Sequence, residues 1–177
     1  LNAKLTYATP RLAKLYGLPV QGKGLTRYDL KTVSERGGLL TQGSVLTIGG
    51  DESSMVARGL FVLRNLLRSG VNSPPPTLNA EPVAAKAGLT QRNIAKARIA
   101  DKTCGVCHIK FEPLAFGLEK FDGIGAFYQK DEHGNTLRDD GEILFPGTAK
   151  PVPYNSSAEL MNLLASSDHV QECLTWK

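Results

Sequence analysis

The clearest helical pattern in the chain covers about residues 55–69, between a serine pair and Gly70. Ser53 or Ser54 is placed to cap the start of this helix, and Gly70 is placed to end it. The apolar positions recur at helical spacing and form one stripe, made of Val56, Leu60, Phe61, Leu63, Leu66 and Leu67. The pattern therefore predicts an amphipathic helix that buries this stripe.

Capping and stop residues predict further helices along the chain. Two of them carry a stronger signal: Pro10 stands in the first helical position after Thr9, and Ser156 with Glu159 forms a capping box. The predicted helices cover residues 10–16, 91–103, 113–120 and 157–165, and a last one follows the cap Asp168 to the chain end.

Little regular structure is predicted elsewhere. Residues 20–52 are rich in glycine and threonine and hold only short β-branched runs, which is typical of long loops. Residues 126–129 and the segment from Thr136, joined by the polar turn 132–135, predict a hairpin. The fold class is therefore predicted to be mainly α, with long loops and a small β-hairpin.

The length of 177 residues fits one domain. Pro74, Pro75 and Pro76 cannot continue a helix and favour an extended segment. We therefore expect a single domain over 1–177, in which a Pro-rich connection (74–89) joins an N-terminal part (1–73) to a second part (90–177). Because the chain begins at Leu1 rather than Met and ends on a helical pattern, we expect a fragment of a larger protein.

Composition and charge exclude several classes of function. The apolar fraction of 41% is ordinary, and the net charge of +4 comes from scattered basic residues, so nucleic-acid binding is not expected. No apolar run approaches the roughly 18 residues that a membrane span needs, so membrane insertion is not expected. Of three cysteines, two form one CXXC pair, which argues against a structural disulfide framework.

The motif that carries chemistry is Cys104-Gly105-Val106-Cys107-His108. Two cysteines at this spacing can each add a thiol across one haem vinyl group, and the histidine that follows is held where an imidazole nitrogen can bind the iron. One turn of chain thus supplies both covalent anchors and the fifth iron ligand. The motif predicts one haem c, attached through Cys104 and Cys107, with His108 as the proximal ligand.

Zinc binding and thiol redox chemistry fit the motif less well. A zinc site needs two further ligands, and the chain offers only His133, His169 and Cys173, with no second CXXC or HXXXH pair. A thioredoxin-like CXXC follows a strand of a βαβ unit, whereas a helix is predicted before Cys104. Two unmodified cysteines beside a chance histidine would require all the motif positions to agree by accident. Cys173 itself is expected to be a buried thiol or to pair with a cysteine beyond the fragment.

Apolar residues after His108 are expected to wall the haem, because a dry environment tunes the reduction potential of the iron. A main-chain carbonyl near Pro113 is expected to accept the proton of the other ring nitrogen of His108. The residues predicted to contact the haem are Phe111, Pro113, Leu114, Phe116 and Leu118, with Phe121 in the same wall.

The sixth iron ligand decides the redox role, because a sulfur ligand raises the potential and a second histidine lowers it. Met55 is the first candidate, since it begins a helix after a flexible Gly/Ser stretch. Met161 lies within a predicted helix, His133 in a polar turn and His169 near a helix N-terminus. These three stay open as alternatives, as do a lysine amine and a vacant sixth position.

A set of segments has a pattern that is specific in combination: residues 36–44, 58–67, the triple proline, the CXXCH motif, 112–125 and the helical end around 159–160 and 173–174. Together they resemble the planctomycete-type cytochrome c domain family. Members usually show Asp-Pro-Leu-Gly-Phe-x-Leu-Glu-x-Phe-Asp-x-Ile-Gly where this chain has 112–125, so Glu112 and Ala115 depart from the pattern. Many relatives carry proline at the position of Met55, so the resemblance lends Met55 no support as a ligand.

The resemblance implies a mostly helical, cytochrome-c-like haem domain of a large secreted bacterial protein, and therefore a periplasmic or extracellular location. Similar domains occur beside carbohydrate-binding modules, which implies electron exchange with oxidative enzymes in polysaccharide degradation. We predict a monomeric electron-transfer domain rather than an enzyme, whose partner is a redox protein or an appended domain. The alternative is a peroxidase-like or ligand-binding haem with an open distal site, for which Arg58 would be the polar distal group. A mainly structural haem is a third interpretation.

Overall fold

The computed structural model describes residues 1–50, 53–75 and 81–175. Pro76 and the other residues of 76–80 in the expected Pro-rich connection lie outside the described residues, as do 51–52 and 176–177. The α-helices of the described part are α1 (Pro10–Leu15), α2 (Gly43–Leu46), α3 (Met55–Asn65), α4 (Gln91–Ala100), α5 (Gly105–His108), α6 (Ser157–Ser166) and α7 (Asp168–Thr175). Two 3-10 helices cover Leu39–Thr41 and Glu112–Leu118, and four short strands are β1 (Leu5–Ala8), β2 (Thr26–Asp29), β3 (Gly141–Ile143) and β4 (Val152–Tyr154).

The prediction of a mainly α fold is confirmed, and local capping explains where its helices begin. The side chain of Thr9 accepts a hydrogen bond from the Leu12 amide at the start of α1. Ser54, Thr90 and Ser156 accept the corresponding bonds at the starts of α3, α4 and α6. Each cap partners an amide that has no acceptor within its own helix, so these starts could be predicted from sequence.

Helix ends differ from the prediction because they depend on backbone conformation. Helix α3 ends at Asn65 rather than near Ser69, and Arg68 takes a left-handed conformation with φ 44°. The Ser69 amide then donates to the Leu63 carbonyl. Helix α4 likewise ends at Ala100, because Asp101 is extended with ψ 135°. The segment 113–120 forms a 3-10 helix over Glu112–Leu118 instead of an α-helix.

The predicted strands were misplaced. Within 20–52, the described residues contain β2, the first 3-10 helix and α2, and β2 pairs antiparallel with β1. The predicted hairpin at 126–136 is reduced to an isolated bridge between Lys130 and Thr136. Its turn is closed by the Asp131 side chain, which accepts the amides of His133 and Asn135. The second antiparallel pair is formed later in the chain, by β3 and β4.

The main hydrophobic core is built around α3 and the second 3-10 helix, with side chains from β3, β4, α6 and α7 closing it. A smaller cluster joins α1 to the first strand pair and contains Ala8, Ala13, Tyr16, Leu18, Tyr28 and Leu30. The main core includes Leu46, Val62, Leu63, Leu66, Phe111, Leu114, Leu118, Phe121, Ile143, Tyr154, Leu160, Leu164 and Val170.

The contact between α3 and the second 3-10 helix depends on a glycine. A Cβ built on Gly59 would overlap the main-chain carbonyl of Phe111. The two elements can therefore approach this closely only where α3 has no side chain. This contact matters for the site, since Phe111 lies three residues after His108 and its ring packs against the imidazole.

We expect Gly59→Ala to destabilise the protein. Alanine contributes up to about 1 kcal/mol to a helix interior, but the overlap with Phe111 should outweigh this and lower the free energy of unfolding by about 1–3 kcal/mol net. Urea denaturation followed by circular dichroism measures the change. Gly70→Ala is the matched control, because no atom lies within 4 Å of its built Cβ. Equal stability of the two variants would contradict the close approach.

Candidate functional site

The CXXCH motif occupies a single helical turn at the surface, α5, directly after α4. The two helices are joined at Asp101, which is extended and whose Oδ1 accepts the amides of Thr103 and Cys104, each at 2.8 Å. Gly105 is buried, and a Cβ built on it would overlap the main-chain carbonyl of Ile99. The turn thus packs directly on the end of α4, which fixes the direction of the three functional side chains.

The two thiols of the motif are partly exposed. Cys107 packs against the main core, whereas Cys104 lies beside Asp101. A hydrogen bond to the Asp101 carboxylate raises the pKa of the Cys104 thiol above its ordinary value. The same carboxylate has its own pKa lowered, chiefly by the amides of Cys104 and Thr103. Asp101 therefore favours the protonated form of the thiol while it holds the start of α5.

The imidazole of His108 is fixed on one side by a carboxylate. Its Nδ1 lies 3.2 Å from Oε2 of Glu112, a residue with no exposed surface. Both atoms are buried, and no other described group partners either of them. The Phe111 ring packs against the imidazole, with 4.9 Å between ring centroids.

The partner of Nδ1 differs from the expected main-chain carbonyl near Pro113. The Pro113 carbonyl instead accepts a hydrogen bond from the Tyr154 hydroxyl at 3.3 Å. The structure brings the side chain of Glu112 to the ring nitrogen, since Glu112 follows His108 by four residues. A charged acceptor thus replaces a neutral one.

Glu112 is held in turn by an arginine of α4. Arg98 donates through Nε to Oε1 of Glu112 at 3.1 Å, and its Nη2 pairs with the same oxygen. The side chain of Arg98 is partly exposed, whereas that of Glu112 is fully enclosed. Glu112 therefore links α4 to the imidazole of α5.

The residues predicted to wall the haem divide into two groups. Phe111, Leu114 and Leu118 belong to the main core, against which Cys107 also packs. Phe116 instead clusters with Met55, Ala95 and Ala115, and Arg92 lies 4.8 Å above the centroid of its ring. Pro113 is half-buried next to them. Of the predicted set, the structure brings Phe111 into ring contact with His108.

The candidates for a sixth iron ligand are dispersed. Met55 is 1% exposed in the cluster with Ala95 and Phe116, and Met161 is 1% exposed in the main core. His133 lies at the surface beside Glu132. The Nε2 atom of His169 lies 2.9 Å from the Leu67 carbonyl and 3.6 Å from the Cys173 sulfur. These residues contact different parts of the fold. The assignment of Met55 as the sixth ligand therefore stays a prediction.

The guanidinium of Arg58 is surrounded by hydrogen-bond acceptors of the protein core. Its side chain is fully buried and donates to the main-chain carbonyls of Leu46, Leu118, Phe121 and Asp122, and to the Ser53 hydroxyl. Burial lowers its pKa to about 10. With its guanidinium occupied by these acceptors, Arg58 does not supply the polar distal group suggested for a peroxidase.

The donor set fits a haem c. Two partly exposed thiols and one imidazole lie on the same helical turn, as covalent attachment through adjacent vinyl groups requires. The buried Nδ1 atom faces a carboxylate, which favours a proton on Nδ1 and leaves the Nε2 lone pair for a metal. No group of three or more His, Cys, Asp or Glu side chains placed to hold a metal ion occurs among the described residues.

Three residues of this site were not predicted from the sequence. Asp101 was placed inside the predicted helix 91–103, although aspartate often ends a helix by accepting amides a few residues further on, as it does here. Glu112 was noted only as a departure from the usual Asp, although it stands four residues after His108 and therefore on the same helical face. No local sequence pattern indicated a role for Arg98, because its partner Glu112 belongs to another element.

Comparison with known protein families identifies the family of this chain. A family model described as PSCyt3, protein of unknown function (DUF1588), matches residues 36–131, which is more than half of the chain. The chain therefore belongs to this family, whose name is that of a planctomycete cytochrome c-type domain. No curated protein and no solved structure matches the chain. Within the described residues, no helix is long and apolar enough to cross a membrane.

We expect Asp101→Asn to make the Cys104 thiol of the haem-free protein more reactive. The asparagine oxygen can still accept the two amides, but the loss of the carboxylate should lower the thiol pKa. At any pH below that pKa, the larger thiolate fraction should then speed alkylation by iodoacetamide, and the difference should vanish at higher pH. Peptide mass spectrometry measures the rate at Cys104.

The control for this experiment is Asp131→Asn, which alters an aspartate that likewise accepts two main-chain amides through one oxygen in a different turn. This variant should leave the Cys104 rate unchanged. If Asp101→Asn alkylates no faster than the wild type at a pH near neutrality, the carboxylate does not control the thiol.

Proposed function

We propose that this chain is a single-haem electron-transfer domain, with haem c attached through Cys104 and Cys107 and His108 as the proximal ligand. The observation that carries the proposal concerns the His108 imidazole, which lies in the same turn as both thiols. Its Nδ1 atom lies 3.2 Å from the buried carboxylate of Glu112. A carboxylate in this position orients the ring and leaves Nε2 as the metal-binding atom. Membership of a cytochrome c-type family supports the same function.

Each residue of the turn has a separate task. The Cys104 and Cys107 thiols would each form one carbon–sulfur bond to a vinyl group, with the thiol hydrogen passing to the neighbouring vinyl carbon, so attachment needs no oxidant. Asp101 favours the protonated form of the first thiol and holds the Cys104 main chain in place. Phe111 packs against the imidazole and restricts its rotation.

A haem c bound here would supply a one-electron Fe(III)/Fe(II) couple, which accepts an electron from one redox partner and passes it to another. The partner in this proposal is a separate redox protein or a domain appended to the same larger protein, with polysaccharide degradation as its setting. Docking would be weak and brief, as is usual for electron-transfer complexes. Haem c attachment places the domain outside the cytoplasm, in the periplasm or beyond. The domain would act as a monomer.

Met55 is the sixth ligand in this proposal. It lies at the first position of α3, and its cluster includes Ala95 of α4 and is flanked by Ile99 of the same helix, which leads into the CXXCH turn. A methionine sulfur would raise the potential, whereas a carboxylate behind the proximal histidine would lower it. The spectroscopic experiment below tests this assignment separately from the attachment.

Covalent attachment is tested by producing the chain in a host that exports it and matures c-type cytochromes. We expect the intact mass to include one haem, and the haem to stay with the chain after denaturation. Cys104→Ala and Cys107→Ala should each weaken covalent retention, and the double variant should abolish it. Cys173→Ala is the matched control, since this cysteine lies in α7 away from the motif and should leave retention complete. A wild-type chain without haem would refute the proposed function.

Iron coordination is tested by absorption spectra of the oxidised and the dithionite-reduced protein, with and without carbon monoxide. Electron transfer through a His108/Met55 pair predicts a low-spin spectrum with the weak far-red sulfur-to-iron band, unchanged by carbon monoxide. Met55→Leu should remove that band, and Met161→Leu should not. A high-spin ferric spectrum that changes readily with carbon monoxide would instead favour the ligand-binding or peroxidase-like alternative.

A further inference from the structure

We propose that Glu112 is a positioning residue that sets the reduction potential of the iron through His108, and that Arg98 moderates its effect. The inference rests on the proposed function, since it concerns iron bound at His108. It assigns the potential of this domain to an ion pair between α4 and the second 3-10 helix, in which the carboxylate is buried.

Two arginine–glutamate pairs connect the same parts of the fold. Arg92 and Arg98 both lie on α4, one at each end. Their partners lie at the two ends of the second 3-10 helix: Glu119 caps its C-terminus, and Glu112 begins it. The carboxylates are both buried, at 4% exposed for Glu119 and 0% for Glu112. The pairs therefore permit a direct comparison.

The first pair is fully satisfied by structural contacts. Oε2 of Glu119 accepts Nε of Arg92 and the Arg138 amide, both at 2.9 Å, and Oε1 accepts the Arg92 amide at 3.2 Å. Both oxygens of this carboxylate thus fix main-chain and side-chain positions. The pair needs no other group to explain its burial.

In the second pair, only one of the two carboxylate oxygens accepts regular hydrogen bonds. Both contacts from Arg98 go to Oε1 of Glu112. The other oxygen, Oε2, is buried without a regular hydrogen bond and lies 3.2 Å from Nδ1 of His108, which is buried and unpartnered as well. Two unsatisfied polar atoms facing each other would cost free energy unless a proton is shared between them. The geometry therefore assigns Oε2 to the Nδ1 proton of the imidazole.

This arrangement has a direct electronic consequence. A carboxylate that accepts the Nδ1 proton makes Nε2 a stronger electron donor than a neutral carbonyl acceptor would. A stronger donor stabilises Fe(III) more than Fe(II), so the midpoint potential is lowered. Arg98 shares the same carboxylate and draws negative charge toward Oε1, which limits the effect.

The test compares Glu112→Gln with Glu119→Gln in the haem-loaded chain. Both variants remove one buried carboxylate from an arginine pair, so both should destabilise folding, but only Glu112 faces His108. We expect Glu112→Gln to raise the midpoint potential, so that the ferrous-to-ferric ratio at a fixed poise increases at least tenfold. For a one-electron couple this is about 59 mV. Glu119→Gln should change the ratio less than threefold, and Glu112→Asp should restore part of the wild-type potential.

The outcomes separate this inference from the proposed function. A loaded Glu112→Gln protein whose potential matches that of the wild type, or that of Glu119→Gln, overturns the inference alone. A wild-type chain that takes up no haem overturns the proposed function and this inference with it. Unfolding measurements on each variant show whether a change in potential merely follows a loss of stability.

A second variant decides the matter if Glu112→Gln does not fold. Arg98→Gln leaves Glu112 in place and removes the competing donor from Oε1, so the midpoint potential should fall. A stability defect common to all variants would not reverse the direction of the change between the two residues. An unchanged or increased potential in Arg98→Gln would overturn the inference.

Discussion

Buried arginines bonded to main-chain carbonyls hold the segment that follows the CXXCH turn. Arg58 of α3 donates to the carbonyls of Leu118, Phe121 and Asp122, while Arg36 donates to that of Gly125. Arg92 of α4 reaches the Phe116 carbonyl at 2.6 Å. The carbonyls of Phe116, Leu118 and Asp122 each also accept a main-chain amide, whereas those of Phe121 and Gly125 depend on the arginines. The cations thus supplement the turn and 3-10 hydrogen bonds of this stretch, so side chains from distant parts of the sequence help to order the backbone of 116–125.

The same arrangement explains why the segments resembling a known family lie apart in sequence. Residues 36–44 and 58–67 each begin with one of these arginines, and 112–125 provides the carbonyls that they bind. The family match over 36–131 covers all three segments. Its shared pattern is therefore in large part a scaffold, on which the CXXCH turn is placed by α4, Gly105 and Asp101.

The site combines this rigid support with an exposed edge. Val106 and Ile109 are 65% and 58% exposed on either side of the motif's second cysteine and histidine, whereas Glu112 and Phe111 behind His108 are buried. The charge that acts on the imidazole is thus enclosed, where electrostatic effects are less screened by solvent. An arrangement of this kind suits an electron-transfer site, because the proximal side stays fixed while the surface remains accessible.

The sequence by itself determined the features that depend on neighbouring residues. The CXXCH spacing and the capped starts of α1, α3, α4 and α6 are local, since a cap and its amide lie within one turn. Tertiary structure alone decided which strands pair, and it placed Arg98 against Glu112, the acceptor that faces Nδ1 of His108. It also turned Arg58 from a candidate distal group into a structural donor. These outcomes depend on contacts between residues far apart in the chain, such as Arg58 with Phe121, and no local pattern records which carbonyl a buried cation will reach.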